Sequence, residues 1–262
     1  MTERIGELTL ERVFPREVRH PTRLLLVHGM WGGAWYWANY QRVFAEAGWD
    51  SWALNLRGHH GSRPVADFGQ VSVRDYVADV RECVARLGDT ILVGHSMGGL
   101  VAQKVTELVP LRAAVFLTSA APRGIPVLRW PVVSRIARYV GAMLADRAFL
   151  LTEAHAAALL GNNLAPEAQR AFYGRLVPES GRAARELALG QVAVDAARLQ
   201  CPTLVVGAGL DTITPAPVQR QIAAKYGAEY RELPGHAHML MLEEGWEAFA
   251  GDLCAWLEKQ EV

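Results

Sequence analysis

A serine stands between two glycines where an apolar run gives way to a helical pattern. Residues 94–98 read Gly-His-Ser-Met-Gly, at the end of a predicted strand (90–94) and before a predicted helix (99–108). So abrupt a turn holds the serine in a strained conformation, and the flanking glycines avoid Cβ clashes. The Ser96 hydroxyl would then stand at a helix N-terminus, where amide donors favour developing negative charge. The pattern indicates a nucleophile; the alternative is a glycine-rich connection in which Ser96 only caps the helix.

A serine hydroxyl is a poor nucleophile at neutral pH, so a base must accept its proton and a carboxylate must orient that base. Asp211 directly follows a predicted strand, whereas its rival Asp195 precedes that strand. The loop after the last predicted strand contains two histidines, His236 and His238. The chain therefore supplies a nucleophile, an acid and a base in that order.

The elements that would position these residues alternate along most of the chain. Short apolar runs and longer amphipathic stretches follow each other, as in crossover units that feed a mostly parallel sheet. The predicted strands are 8–14, 23–28, 51–56, 90–94, 113–118, 203–206 and 229–233. The predicted helices between them are 34–47, 73–87, 99–108, 217–226 and 244–258. This order predicts the α/β class.

The alternation stops between residues 122 and 200, where no run resembles a strand. Apolar residues recur there at helical spacing, and further helix-like pieces follow at 152–160 and 166–176. We interpret 122–200 as a helical insertion, and 1–121 with 201–262 as one core domain. Most apolar side chains of the insertion are expected to pack on the core, and some to face Ser96 in an apolar pocket. They include Trp130, Val133, Ile136, Tyr139, Val140, Met143, Phe149 and Leu150.

Composition excludes several classes of partner. The 262 residues carry 27 Lys and Arg against 27 Asp and Glu, so the formal charge is zero. This balance gives no electrostatic footprint for nucleic acid or for an anionic membrane surface. The N-terminal residues lack the apolar centre of a secretion signal, and no stretch of 18 apolar residues occurs. We expect a soluble, cytoplasmic protein that contacts neither nucleic acid nor membrane.

Neither a metal nor a cofactor is expected from the motifs. Three scattered cysteines without CxxC spacing argue against a thiolate metal site or a disulfide framework. The histidine pairs 59/60 and 236/238 could suggest zinc, but no helical HExxH pattern supports it. Neither GxGxxG nor GxxxxGK[ST] occurs, which argues against a nucleotide-binding loop.

Three features together resemble the α/β-hydrolase superfamily, over essentially the whole chain. They are residues 94–98, the order serine, acid, histidine, and residues 28–33, which read His-Gly-Met-Trp-Gly-Gly after an early strand. The resemblance implies an α/β-hydrolase fold, a mostly parallel twisted sheet flanked by helices, with 122–200 as a helical cap. Residues 26–37 look like the corresponding segment of small bacterial esterases, plant methylesterases and hydroxynitrile lyases. Asn55 departs from the aspartate common in relatives, in a supporting loop.

The resemblance also assigns roles to residues. Similar proteins place the base before a short apolar run that leads to an acid, and His238 precedes such a run ending at Glu243. It therefore implies Ser96, Asp211 and His238 as catalytic residues, with His236 as a loop neighbour. The oxyanion donors would be the backbone amides of Met30 and Met97. The substrate pocket is expected to include His28, Gly29, Trp31, Tyr139 and Met143.

These inferences predict a cofactor-independent serine hydrolase for small carboxylic esters with an apolar acyl or alcohol part, acting through an acyl-enzyme. The same fold and triad could serve lyase, C–C hydrolase, lactonase or thioesterase chemistry, and pocket shape decides among them. A non-catalytic small-ligand receptor on the same scaffold is the alternative from another class. The sequence does not define the oligomeric state.

Overall fold

A single eight-stranded sheet is the centre of the structure, a computed structural model that describes residues 1–126 and 134–261. The strands lie in the order β1-β2-β4-β3-β5-β6-β7-β8. β1 and β2 pair antiparallel to each other, β2 pairs antiparallel to β4, and all other neighbours are parallel. The strands are β1 (Thr2–Ile5), β2 (Leu8–Val13), β3 (Arg23–Val27), β4 (Ser51–Asn55), β5 (Thr90–His95), β6 (Ala113–Leu117), β7 (Thr203–Ala208) and β8 (Glu229–Leu233).

Helices cover both faces of this sheet, which confirms the predicted α/β fold class. The α-helices whose full range is described are α1 (Ala38–Glu46), α2 (Val73–Leu87), α3 (Met97–Leu108), α4 (Val140–Leu144), α5 (Glu153–Leu159), α6 (Pro166–Tyr173), α7 (Gly181–Ala188), α8 (Ala216–Tyr226) and α9 (Trp246–Glu258). Short 3-10 turns lie at Ala34–Trp37, Phe68–Gln70, Ala137–Tyr139 and Ala196–Arg198. No helix in these described ranges is long and apolar enough to cross a membrane.

The central strands are apolar throughout because both faces of the sheet are covered. In β3, Leu24 and Leu26 pack into the cluster that contains Trp37 of the first 3-10 turn. Leu25 and Val27 pack on the opposite face. Each buried leucine contributes about 1.5–3 kcal/mol relative to exposure to water. The same burial fixes the register that aligns the carboxyl ends of β3, β5, β6 and β7.

Two elements differ from the sequence prediction. β1 was not predicted because its residues, Thr-Glu-Arg-Ile, are largely polar; it is an edge strand that turns into β2 at Gly6, where φ is 56°. The predicted helix 34–47 is a 3-10 turn followed by α1.

Between β6 and β7 the chain leaves the sheet. Its described part is made of helices α4–α7, short turns and an isolated antiparallel bridge between Phe149 and Glu179. Of the apolar residues expected to cover the core, Trp130 and Val133 lie outside the described residues. This part of the chain, between β6 and β7, contacts the loops that follow several strands of the sheet, where the candidate site lies.

Candidate active site

Ser96 occupies the one-residue turn between β5, which ends at His95, and α3, which begins at Met97. Its φ of 54° and ψ of −120° are rare for a residue with a Cβ and cost on the order of 1–3 kcal/mol. The turn is anchored to the end of β6. The Ser96 amide donates to the Leu117 carbonyl oxygen at 3.1 Å, and the Ser96 carbonyl accepts from the Ala120 amide at 2.9 Å.

The flanking glycines are required by close backbone contacts. A Cβ on Gly94 would lie 2.2 Å from the carbonyl oxygen of Gly98. A Cβ on Gly98 would lie 2.4 Å from the carbonyl oxygens of Val27 and His28. Both distances are shorter than any side chain tolerates, so α3 can start against β3 only with these glycines.

His238 connects Ser96 to Asp211. His238 Nε2 lies 3.0 Å from Ser96 Oγ, and Nδ1 lies 2.9 Å from Asp211 Oδ2. Because the Asp211 carboxylate accepts the hydrogen bond of Nδ1–H, the tautomer with one ring proton presents an unprotonated Nε2 to the serine hydroxyl. All three residues are buried. The structure thus brings together the three residues that the sequence analysis assigned as nucleophile, base and acid.

Asp211 is held as a carboxylate by its surroundings. Its Oδ1 accepts from the amides of Ile213 and Thr214, at 2.8 and 3.0 Å, and its Oδ2 lies 2.8 Å from the Thr214 hydroxyl. Burial acts to raise the pKa of Asp211, but the attraction and hydrogen bonds of His238 and Thr214 outweigh it and lower that pKa.

The other histidines near the site have different partners. His95 Nε2 lies 2.9 Å from the His238 carbonyl oxygen and donates to it, which fixes the loop that carries His238. Burial, with a smaller effect of His238, lowers the pKa of His95 to about 3, so its ring is neutral. His236 Nδ1 lies 3.3 Å from Glu243 Oε2 rather than at the serine. His238 alone of the two loop histidines reaches Ser96.

The loop after β3 leaves the Met30 amide unpaired. His28 Nδ1 donates to the Gly29 carbonyl oxygen at 2.7 Å, and His28 Nε2 accepts from the Leu56 amide at 3.2 Å. A trans peptide points its N–H away from its C=O, so the anchored Gly29 oxygen directs the Met30 N–H the opposite way. Met97 is the first residue of α3, where an N–H has no partner inside the helix. Among the described residues, neither amide hydrogen-bonds to an acceptor.

A cavity of about 100 Å³ opens at Ser96, and its lining is almost entirely apolar. Of the residues expected there, Gly29, Trp31 and Met143 line it, together with Met30, Ser96 and His238. The sequence analysis did not assign most of the other lining residues, because they come from separate elements and share no local motif. They are Tyr36, His95, Ala120, Ile136, Leu160, Ala184, Leu187, Ala188, Ile213, Thr214 and Met239.

Two residues expected in the pocket lie elsewhere. His28 is fully buried behind the loop, with both ring nitrogens engaged as described, and burial holds its pKa well below the ordinary value. Tyr139 stacks on Phe149, and its hydroxyl lies 2.9 Å from His155 Nδ1 and accepts from the Thr152 amide. Within the described ranges, no three His, Cys, Asp or Glu side chains converge as a metal site requires.

The fold and this site define an α/β hydrolase. The model of the alpha/beta hydrolase family matches residues 24–252, and the chain belongs to that family. It is similar to the monoacylglycerol lipase of Paleococcus ferrophilus, with a TM-score of 0.76 and 21% identity over 97% of this chain and 99% of the other. It is also similar to a thermophilic esterase from Thermogutta terrifontis, with a TM-score of 0.75 and 20% identity over 98% of this chain and 96% of the other. At this identity the likeness shows the fold.

Among curated relatives, Methylesterase 7 of Arabidopsis thaliana is 31% identical over 103 residues, 38% of this chain and 39% of that protein. The carbendazim hydrolyzing esterase of Nocardioides sp. (strain SG-4G) is 31% identical over 102 residues, which are 37% of this chain and 42% of that protein. The aligned part thus spans about two fifths of the length of each relative.

Proposed function

We propose that this protein is a cofactor-independent serine hydrolase that cleaves carboxylic esters with an apolar acyl or alcohol part. The observation that carries the proposal is the chain of contacts from Ser96 Oγ through His238 to Asp211, at the mouth of an apolar cavity. A serine hydroxyl next to an oriented imidazole is an activated nucleophile. The esterase names of several relatives support ester hydrolysis in general.

The reaction follows from the geometry. Ser96 Oγ attacks the ester carbonyl carbon while His238 Nε2 accepts the hydroxyl proton, and Asp211 stabilises the resulting imidazolium. The carbonyl oxygen becomes an oxyanion that accepts hydrogen bonds from the Met30 and Met97 amides. The imidazolium then protonates the leaving alcohol, and an acyl-enzyme remains. A water molecule repeats the sequence, with His238 again as the base, and releases the carboxylic acid.

In this proposal residues 122–200 act as a cap that shapes the substrate pocket. Ile136, Met143 and Leu187 from this segment line the same cavity as Ser96. None of the described lining residues is Asp, Glu, Lys or Arg. A carboxylate or ammonium group in such a pocket would lose its hydration without a partner, whereas an alkyl chain gains from burial. The substrate portion held by the cap is therefore uncharged.

The two loop histidines provide a matched test. Hydrolysis of nitrophenyl esters with acetyl, butyryl and octanoyl groups is measured for the wild type and for Ser96→Ala, His238→Ala and His236→Ala. Ser96→Ala and His238→Ala should each lower kcat at least about 10³-fold, because each removes a member of one catalytic unit. His236→Ala should stay within about threefold of the wild type. A loss confined to His236→Ala, or activity retained in Ser96→Ala, would contradict the proposal.

The nature of the bond cleaved is tested with matched acyl groups. Butyryl ester, butyryl thioester and γ-butyrolactone differ in leaving group or ring closure but share the same acyl length. The proposal expects the highest kcat/KM for the open-chain ester. A preference for the thioester or the lactone of at least tenfold would replace the esterase assignment by that chemistry on the same triad.

A further inference from the structure

Trp31, the residue after Met30, makes three hydrogen bonds to the segment between β6 and β7. Its backbone amide donates to Glu179 Oε2 at 3.3 Å, its carbonyl oxygen accepts from the Val177 amide at 3.0 Å, and its indole Nε1 donates to the Phe149 carbonyl oxygen at 3.1 Å. Its φ of 60° is unfavourable for a bulky side chain. Such a conformation persists only where surrounding contacts impose it.

Glu179 is fully buried and accepts four hydrogen bonds. Its Oε1 accepts from the Tyr76 hydroxyl at 2.5 Å and from the Ser180 amide at 2.7 Å. Its Oε2 accepts from the Trp31 amide and from His59 Nε2, which lies at 3.2 Å. One carboxylate of the 122–200 segment thus joins three parts of the core: the loop after β3, the loop after β4, and α2.

His59 balances the charge of this carboxylate. Its Nδ1 lies 3.0 Å from the Arg57 carbonyl oxygen and its Nε2 faces Glu179, so both ring nitrogens have oxygen acceptors and both carry protons. Burial acts to lower the pKa of His59, but the Glu179 carboxylate, with smaller contributions from hydrogen bonds to the backbone of Arg57 and Leu56, outweighs it and raises that pKa. A buried ion pair is weak support for stability, because desolvation offsets the attraction.

The group held in place is the peptide next to the proposed oxyanion donor. Tyr36 Oη lies 3.4 Å from the Met30 carbonyl oxygen, at one end of the Met30–Trp31 peptide, and Glu179 binds the Trp31 N–H at its other end. His28 anchors the preceding peptide through the Gly29 oxygen. The Met30 N–H belongs to that preceding peptide, so anchoring of the peptides on both sides of the Met30 Cα sets its direction.

We propose that Glu179 is a positioning residue of the oxyanion hole, supplied by the cap segment and acting through Trp31 on the Met30 amide. The inference rests on the proposed hydrolase function. An oxyanion donor contributes only when it is aimed at the position that the oxyanion takes in the transition state. Loss of Glu179 should therefore weaken binding of the transition state much more than binding of the substrate.

Four variants separate the positioning of Trp31 by Glu179 from a general effect of Glu179 on stability. Glu179→Met keeps a similar volume but removes every acceptor oxygen, including the one for the Trp31 amide. Tyr76→Phe removes one hydrogen bond to the same carboxylate and leaves the Trp31 contact. Glu167→Met changes an exposed glutamate of the same segment and is the matched control. Glu179→Gln, which keeps one acceptor oxygen, takes the place of Glu179→Met if that variant does not fold.

The measurement compares two inhibitors of equal size. An alkyl trifluoromethyl ketone adds to Ser96 and forms an oxyanion, whereas the matching trifluoromethyl carbinol cannot. Glu179→Met should lower kcat at least about tenfold and raise the Ki of the ketone by the same factor, with KM and the Ki of the carbinol within about threefold of the wild type. Glu179→Gln should shift the ketone Ki in the same direction by at least threefold. Tyr76→Phe should lower the unfolding temperature with little change in the ketone Ki, and Glu167→Met should match the wild type.

Equal weakening of both inhibitors, or a wild-type ketone Ki in a folded Glu179 variant, would overturn the positioning role while leaving the hydrolase intact. A wild-type protein that neither hydrolyses esters nor binds the ketone would instead overturn the proposed function, and this inference with it.

Discussion

Ser96 and His238 lie 142 positions apart in the chain, yet Ser96 Oγ and His238 Nε2 are 3.0 Å apart. The contact exists because Ser96 follows β5 and His238 follows β8, two parallel strands of one sheet. The loops at the carboxyl ends of parallel strands share one edge, which is where α/β sheets bind their ligands. Asp211 follows β7, the neighbour of β8, and completes the arrangement from the same edge.

The close approach of α3 to β3 predicts an effect on stability. Gly98→Ala would place a Cβ 2.4 Å from two backbone oxygens, so the turn that holds Ser96 must shift. We expect a loss of about 2 kcal/mol or more in the free energy of unfolding and a loss of esterase activity. Gly251→Ala, in an exposed part of α9 with no atom within 4 Å of the added Cβ, should gain about 0.5–1 kcal/mol instead. Urea unfolding of both variants checks this, and equal stability of the two would contradict it.

The buried pair of His59 and Glu179 predicts a pH dependence of stability. The folded-state pKa of His59 is raised, so its contribution is complete below the unfolded-state pKa of about 6.5 and is lost as the pH rises through the folded value. Tyr76 and His28 also face His59, but burial raises the pKa of Tyr76 and lowers that of His28, so both stay uncharged. The unfolding temperature of the wild type should therefore exceed that of Glu179→Gln by more at pH 6 than at pH 9. Thermal unfolding across this range tests the sign; a gap that widens with pH would show that the pair is not ionised as described.

The wall of the cavity predicts how chain-length selectivity changes. Ala184 of α7 is buried and lines the cavity, so Ala184→Leu would fill part of the space for the acyl chain. The kcat/KM ratio of octanoyl to acetyl ester should fall at least about tenfold, since a shorter chain still fits. Ala171→Leu adds the same volume at an exposed position of α6 and should leave the ratio unchanged. A ratio that stays constant in Ala184→Leu would place the acyl chain elsewhere.

Much of the fold and of the proposed catalytic site could be predicted because short stretches of sequence carry its signals. The turn around Ser96 needs glycines for a steric reason that is visible in five consecutive residues, and Asp211 and His238 follow strands with clear apolar runs. The helix α2 matches its predicted range because Ser72 and Asp75 form a capping box at its start.

Contacts between residues far apart in the chain could not be predicted from the sequence. Glu179 has no motif around it, and its importance arises only when folding brings it to Trp31, 148 positions away. Tyr139 has the character of a pocket residue, but its hydroxyl is satisfied within its own segment, which turns it away from the cavity. The strand β1 could not be predicted from its largely polar residues, because it is stabilised by pairing with β2 rather than by its own apolar content.

The proposed function requires Ser96 to be an activated nucleophile. Fluorophosphonate labelling of the wild type, Ser96→Ala and His236→Ala, followed by mass spectrometry of the peptides, tests it directly. We predict one label per chain on the peptide that contains Ser96, the same labelling in His236→Ala, and none in Ser96→Ala. A folded wild-type protein that takes up no label, or a label that persists in Ser96→Ala, would contradict it.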